Sequence, residues 1–178
     1  MRERIRKTLA GLFGLGLSLG LGGCGDDPRP PEPVQVTLGG AAPDGSGFLP
    51  LQGDVTLIPG AQGGFHVWLK YRTVGMTPGP ARVEHTARRA SDGRLILTSM
   101  RTQDIGPPSP DGYWELPVAI PAFMCPAPIG VQVRDERVIY RVVVEDMAGT
   151  PLGEGEASAT PRCPTDSQSA FCLSICSG

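Results

Sequence analysis

The sequence predicts an all-β chain folded as a β-sandwich of about seven to nine short strands, and three observations predict it. Apolar and polar residues alternate with a period of two along several stretches, which gives each stretch a core face and a solvent face. Turn residues (Gly, Pro, Asp and Ser) recur about every ten residues, the spacing of short strands joined by tight connections. Only 167–175 carries a helical period.

Val-Gln-Val-Thr-Leu at 34–38 alternates and reads as the first strand. A loop over 39–53 leads to a short strand at 54–58, and Pro59 with Gly60, Gly63 and Gly64 breaks the chain. The pattern is clearest over 65–72: Phe65, Val67, Leu69 and Tyr71 share one face, His66, Trp68, Lys70 and Arg72 the other. A second long strand, 81–89, turns at Ser91-Asp92-Gly93-Arg94, where Asp-Gly accepts positive φ cheaply, and returns over 95–100. Residues 102–112, with Pro107, Pro108 and Pro110, read as loop. A strand over 113–120 contains Pro117, which belongs at an edge or a bulge. The prolines of 121–128 surround Cys125, and 129–133 is a short extended piece. The strand at 138–145 looks the most buried, with Val138, Tyr140, Val142 and Val144 on one face and Ile139 and Val143 on the other. Asp146-Met147-Ala148-Gly149 turns it into a last strand at 152–160.

Composition narrows the function classes. A net charge of −2 gives no electrostatic case for nucleic acid. The 25 glycines and 19 prolines punctuate patterned strands and do not form one low-complexity run. No phosphate loop, dinucleotide fingerprint or zinc-protease pattern occurs. Gly16-Leu17-Ser18-Leu19-Gly20 matches the nucleophile elbow of hydrolases, but it lies in an apolar leader that is removed, so it carries no chemistry.

That leader begins with Arg2, Arg4, Arg6 and Lys7, and no charge follows over 9–21. The apolar run is shorter than the about 20 residues of a spanning helix, and it ends in small residues, as a secretory signal does. Leu21-Gly22-Gly23-Cys24 resembles the lipobox of bacterial lipoprotein signal peptides. The resemblance implies cleavage before Cys24, a diacylglycerol on its thiol and an acyl chain such as palmitate on its new amino group. One acyl chain holds a protein only marginally, whereas two or more anchor it stably. The mature chain is then tied to a membrane of the bacterial cell envelope. Gly25, standing where a retention aspartate would stand, points to the outer membrane over the inner. The run Asp-Asp-Pro-Arg-Pro-Pro-Glu-Pro at 26–33 cannot pack a core, and it reads as an extended tether. The organisation expected is a signal peptide at 1–23, a lipidated terminus and tether at 24–33, a sandwich domain at 34–162 and a cysteine-containing tail at 163–178.

Val144-Glu145-Asp146-Met147-Ala148-Gly149 resembles the penultimate turn of bacterial immunoglobulin-like domains, which implies an immunoglobulin-like order of strands. The chain also resembles a group of uncharacterised lipoproteins of myxobacteria and their relatives. The shared features are the lipobox, Gln62-Gly63-Gly64-Phe65-His66-Val67-Trp68 and the late cysteines; the resemblance carries no activity with it.

Five cysteines are an odd number. With Cys24 lipidated, Cys125, Cys163, Cys172 and Cys176 remain for two disulfides, which an oxidising compartment permits. The immunoglobulin-like order implies that the strands before Cys125 and Cys163 finish at the same pole. Cys125 is then expected to pair with Cys163, and Cys172 with Cys176.

Two readings of His66 and Trp68 stand side by side. They form an exposed aromatic–polar patch for a sugar or a protein partner, or the Trp is packed or covered by a loop. His66 and His85 are the two histidines, and no metal-site spacing surrounds them, so neither metal nor other cofactor is expected. Arg82, Arg88, Arg89 and Arg94 cluster around one hairpin, for anionic lipid or simply as a solvated edge. Asp135-Glu136 and Glu145-Asp146 are adjacent acids in turns, without the separation that glycosidase chemistry needs. The sequence reading is a membrane-anchored envelope lipoprotein with a non-catalytic binding or structural domain. Its alternative is a carbohydrate- or small-ligand-binding module using 65–68.

Overall fold

The computed structural model describes residues 32–178. The leader, Cys24 and most of the tether lie outside the described residues. The fold is all-β apart from one short helix, and its strands form two five-stranded sheets enclosing one apolar core.

The first sheet is built on β4 (Phe65–Val74). One edge of β4 takes β1 (Gln35–Gly39) and the two-residue β3 (Ile58–Pro59), both antiparallel. The other edge takes β7 (Trp114–Glu115) and β8 (Ile120–Cys125), with the Leu116 N–H donating to the Tyr71 carbonyl between them. The second sheet runs β2-β10-β9-β5-β6. Here β2 is Gln52–Thr56, β10 is Pro151–Arg162, β9 is Val138–Glu145, β5 is Gly79–Arg89 and β6 is Leu95–Ile105. All pairs are antiparallel except β2 with β10, which is parallel.

Alternation decides which faces meet. Phe65, Val67, Leu69 and Tyr71 of β4 are buried, and across from them lie Val138, Tyr140, Val142 and Val144 of β9 with Ala81, Val83, His85 and Ala87 of β5. Removing each large aliphatic side chain from water contributes roughly 1.5–3 kcal/mol. The inward row of β10 is small (Gly153, Gly155, Ala157, Ala159), and β1 fills the space it leaves. A Cβ on Gly155 would stand 2.7 Å from the Val36 carbonyl oxygen, and one on Gly153 would stand 2.3 Å from that of Val34. Backbone cannot yield as a side chain can. Gly155→Val should therefore cost roughly 3 kcal/mol of unfolding free energy, the upper range for overpacking. Urea titration giving less than about 1 kcal/mol would contradict that close approach.

The strands expected at 65–72, 81–89 and 138–145 are present, the last with identical bounds, and the hairpin glycine Gly93 has φ 72°. Asp146 closes the next turn by accepting the Ala148 and Thr150 N–H groups on Oδ1. Three expectations need correction. The supposed loop at 102–112 begins as strand, because β6 continues to Ile105 against Gly79. Within the supposed strand at 113–120 the ladder holds at Trp114–Glu115, breaks around Pro117 and resumes only at Ile120, the first residue of β8. The 129–133 piece opens as a turn and not as extended chain, closed by the Val131 N–H on the Pro128 carbonyl with Gly130 at φ 70°, and 131–133 follows outside any strand. Strands in the described residues number ten, two of them only two residues long.

The helix α1 (Ser169–Ile175) lies at the pole where β8 and β10 end. All four cysteines of the described residues are bridged, but Cys125 pairs with Cys176 and Cys163 with Cys172, at Cα separations of 5.1 and 5.7 Å. The expected pairing of Cys125 with Cys163 and Cys172 with Cys176 is thus overturned, although the shared pole is as expected. The cause is the helix. Residues i and i+4 on a helix hold their Cβ atoms about 5–6 Å apart, beyond the roughly 3.5–4.5 Å a disulfide spans, so Cys172 and Cys176 each reach a different strand end.

Candidate binding groove beside Trp68

Period two on β4 turns His66, Trp68, Lys70 and Arg72 away from the core. Trp68 is half-buried on this outer face, neither in the core nor free. Its indole Nε1 donates to the Pro43 carbonyl at 3.0 Å, and the 40–49 loop, closed by Gly40 and Leu49, lies against the ring. The loop-covered reading of this residue therefore holds for part of the ring. His66 stands edge-on to Trp68 at 4.3 Å and to Phe123 of β8 at 5.8 Å. Burial lowers the His66 pKa from its ordinary value, so the ring is held neutral. Farther along, Glu115 bridges Lys70 at 2.6 Å and Arg72 at 2.8 Å, and the Arg72 guanidinium lies over Phe48 and Tyr113 at 4.0 and 4.3 Å. Burial opposes the charged form of Glu115, but the hydrogen bonds from Lys70 and Arg72 outweigh it and hold the carboxyl below its usual range.

Between this face and edge strand β2 lies a groove of about 290 Å³. Trp68, Pro43 and Leu49 give it an apolar wall; Gln52, Asp54 and Thr56, alternate residues of β2, give it a polar one. Asp54 is positioned by Arg162 at 3.1 Å, and Arg162 also holds Asp135 at 2.7 Å. Such a groove suits a neutral polar ligand: an indole for the apolar side of a ring, with an amide, a carboxylate and a hydroxyl for its hydroxyl groups.

His66 and Trp68 are thus brought together, and His85 is not near them. His85 faces the core from the other sheet, 5.9 Å from the Tyr71 ring, so no ion can take both histidines as ligands. The four arginines do not converge. Arg82 lies against Glu145 and the Met100 sulfur, Arg88 on the Gly93 carbonyl, Arg89 on Asp92, and Arg94 on the Ile129 and Gly130 carbonyls. Asp146 serves its own turn, and Asp135 is held by Arg134 and Arg162. Phe123 and the polar wall on β2 were not foreseen, since nothing local marks residues that only strand pairing brings to Trp68. No helix of the described residues is long and apolar enough to cross a membrane. Neither the models of known protein families nor the curated proteins include a match to this chain.

Proposed function

We propose that this chain is a bacterial envelope lipoprotein, cut before Cys24, anchored there by acyl chains, and carrying a non-catalytic binding domain on a proline-rich tether. The observation that supports the anchor is the cysteine count: the four cysteines beyond the leader are consumed in two bridges, leaving the lipobox thiol as the odd one. The support for an immunoglobulin-like order is the pairing. With β1, β4, β5, β6, β8, β9 and β10 lettered A, B, C, C′, E, F and G, one sheet contains A-B-E and the other G-F-C-C′. Intact-mass analysis of the membrane fraction should find a mature chain starting at Cys24 with diacylglyceryl and acyl additions. Cys24→Ala should move the protein to the soluble fraction. An unmodified thiol on a chain that keeps its leader would sink the anchor reading.

The groove favours one reading of the binding role, a module for a carbohydrate or similar small polar ligand. Trp68→Ala should lower affinity for a bound saccharide about tenfold or more, the loss of one aromatic stacking partner worth roughly 1.5 kcal/mol. Unchanged binding in that variant, measured by calorimetry, would remove the groove from consideration.

A further inference from the structure

On the margin of β4 that carries β1 and β3, the ladder has a missing rung. Alternate residues of β4 turn their N–H and C=O to this margin, where His66 is paired with Ile58 and Lys70 with Gly39. Trp68 lies between them. The β1 ladder stops at Gly39, because Gly40 turns away to exchange hydrogen bonds with Leu49, and β3 is only Ile58–Pro59. Among the described residues, no backbone group takes the Trp68 N–H or its carbonyl. Two neighbours fix their direction. A Cβ on Gly40 would stand 3.2 Å from the Trp68 carbonyl oxygen, and Pro121, which has no N–H to give, faces Trp68 across the opposite margin. A backbone donor and acceptor, side by side, are thus left for a partner from outside.

The groove beside Trp68 opens on this rung: Gly40 and Ala41 line it at one end of the gap, Thr56 and Ile58 at the other. Chain direction tells the ends apart. The Trp68 carbonyl lies toward β1, beside Gly40 and its partner Leu49, and the N–H lies toward β3 and Thr56. The acceptor therefore sits at the apolar end of the groove and the donor at the polar end.

Resting on the saccharide reading of this groove, we propose that its ligand class is a sugar carrying an acetamido group. The N–H of that substituent donates to the Trp68 carbonyl, and its acetyl methyl lies on Leu49 and Pro43. The hydroxyl on the adjacent ring carbon accepts from the Trp68 N–H. Groups on neighbouring ring carbons stand side by side, as the N–H and C=O of one extended residue do. A plain hexose can offer a hydroxyl to the same carbonyl, but it brings nothing apolar to that end. A longer extended peptide is blocked, because β1 and β3 close the gap on both sides, whereas a single ring can enter.

Calorimetry on the full chain with two methyl β-glycosides, of N-acetylglucosamine and of glucose, tests the acetamido group by itself. The N-acetyl sugar should bind about tenfold more tightly, for one added hydrogen bond and one buried methyl. Gly40→Ala sets a methyl against the Trp68 carbonyl and should bring the two sugars to equal affinity. Amide hydrogen exchange read by NMR needs no variant. In the free chain the Trp68 amide should exchange faster than those of His66 and Lys70, and the N-acetyl sugar should slow it about tenfold. A Trp68 amide as protected in the free chain as its neighbours would overturn the missing rung. Equal binding of both sugars by the wild type, with Trp68→Ala weakening both, would overturn the acetamido assignment and leave the groove reading standing. Binding of neither would remove both. Tighter binding of N-acetylalanine methylamide, a single blocked residue, than of either sugar would give the rung to a peptide and overturn the assignment to a sugar.

Discussion

Replacing Cys125 and Cys176 together by alanine should lower the unfolding free energy by roughly 4 kcal/mol, the chain-entropy value for a closed segment of this size. The bridge spans 51 residues of sequence, including the whole of β9 and β10, so without it the unfolded chain regains the freedom of that long segment. Replacing Cys163 and Cys172 opens a segment of only 9 residues and should cost less, roughly 2.5 kcal/mol. The double replacements avoid a stray thiol, so the comparison reads the bridges alone. Denaturant titration without reductant would give the order of the two variants. If the short bridge proved the costlier one, the pairing found here would be wrong.

Acid should weaken the fold through His85 before it reaches the carboxylates. The side chain is fully within the core, and burial pushes its pKa down to about 4, with the positive charge of Arg101 acting in the same direction. In the unfolded chain the same ring takes a proton at its ordinary value near 6.5. The unfolded state therefore binds more protons between these limits, and stability falls as pH falls. The contribution is complete above about pH 6.5, declines through the window, and levels off below about pH 4 after a loss of about 3 kcal/mol. His66, also lowered by burial, adds to the slope in the same sense. His85→Phe should remove most of the pH dependence between 6.5 and 4, read from urea midpoints across that range. A variant with the wild-type slope would mean that His85 takes up its proton as readily in the folded protein as in the unfolded one.

How far the sequence disclosed this molecule follows from how local each signal is. The alternation of 138–145 is written in eight adjacent residues, and β9 has those bounds. The helical period at 167–175 likewise precedes a real helix, Ser169–Ile175. The second half of β6 was hidden because an edge strand exposes Arg101, Thr102 and Asp104 and needs no apolar row there. β8 was hidden by Pro121 beside its start, though Ala122 and Met124 do alternate with Phe123. At the site, His66 and Trp68 were legible as neighbours on one strand face. Gln52, Asp54 and Thr56 reach the same groove through the parallel pairing of β2 with β10, a contact between distant segments that alternation does not encode. For the disulfides, spacing by four on a helix forbids the short Cys172–Cys176 bridge, but it leaves two pairings, and only the placement of the helix against the ends of β8 and β10 selects between them.

β6 ends its sheet with its outer margin unpaired among the described residues, for eleven residues. Proteins crowded on a surface would meet along such margins, and an open strand invites a neighbour's strand to extend it. Register sets Arg101 opposite Val83, on the core side of the sheet but at its rim, where the side chain stays in water. A charged side chain on the core side of an edge strand is one of the devices by which proteins discourage such joining. The long open margin of β6 thus carries its own guard against being extended.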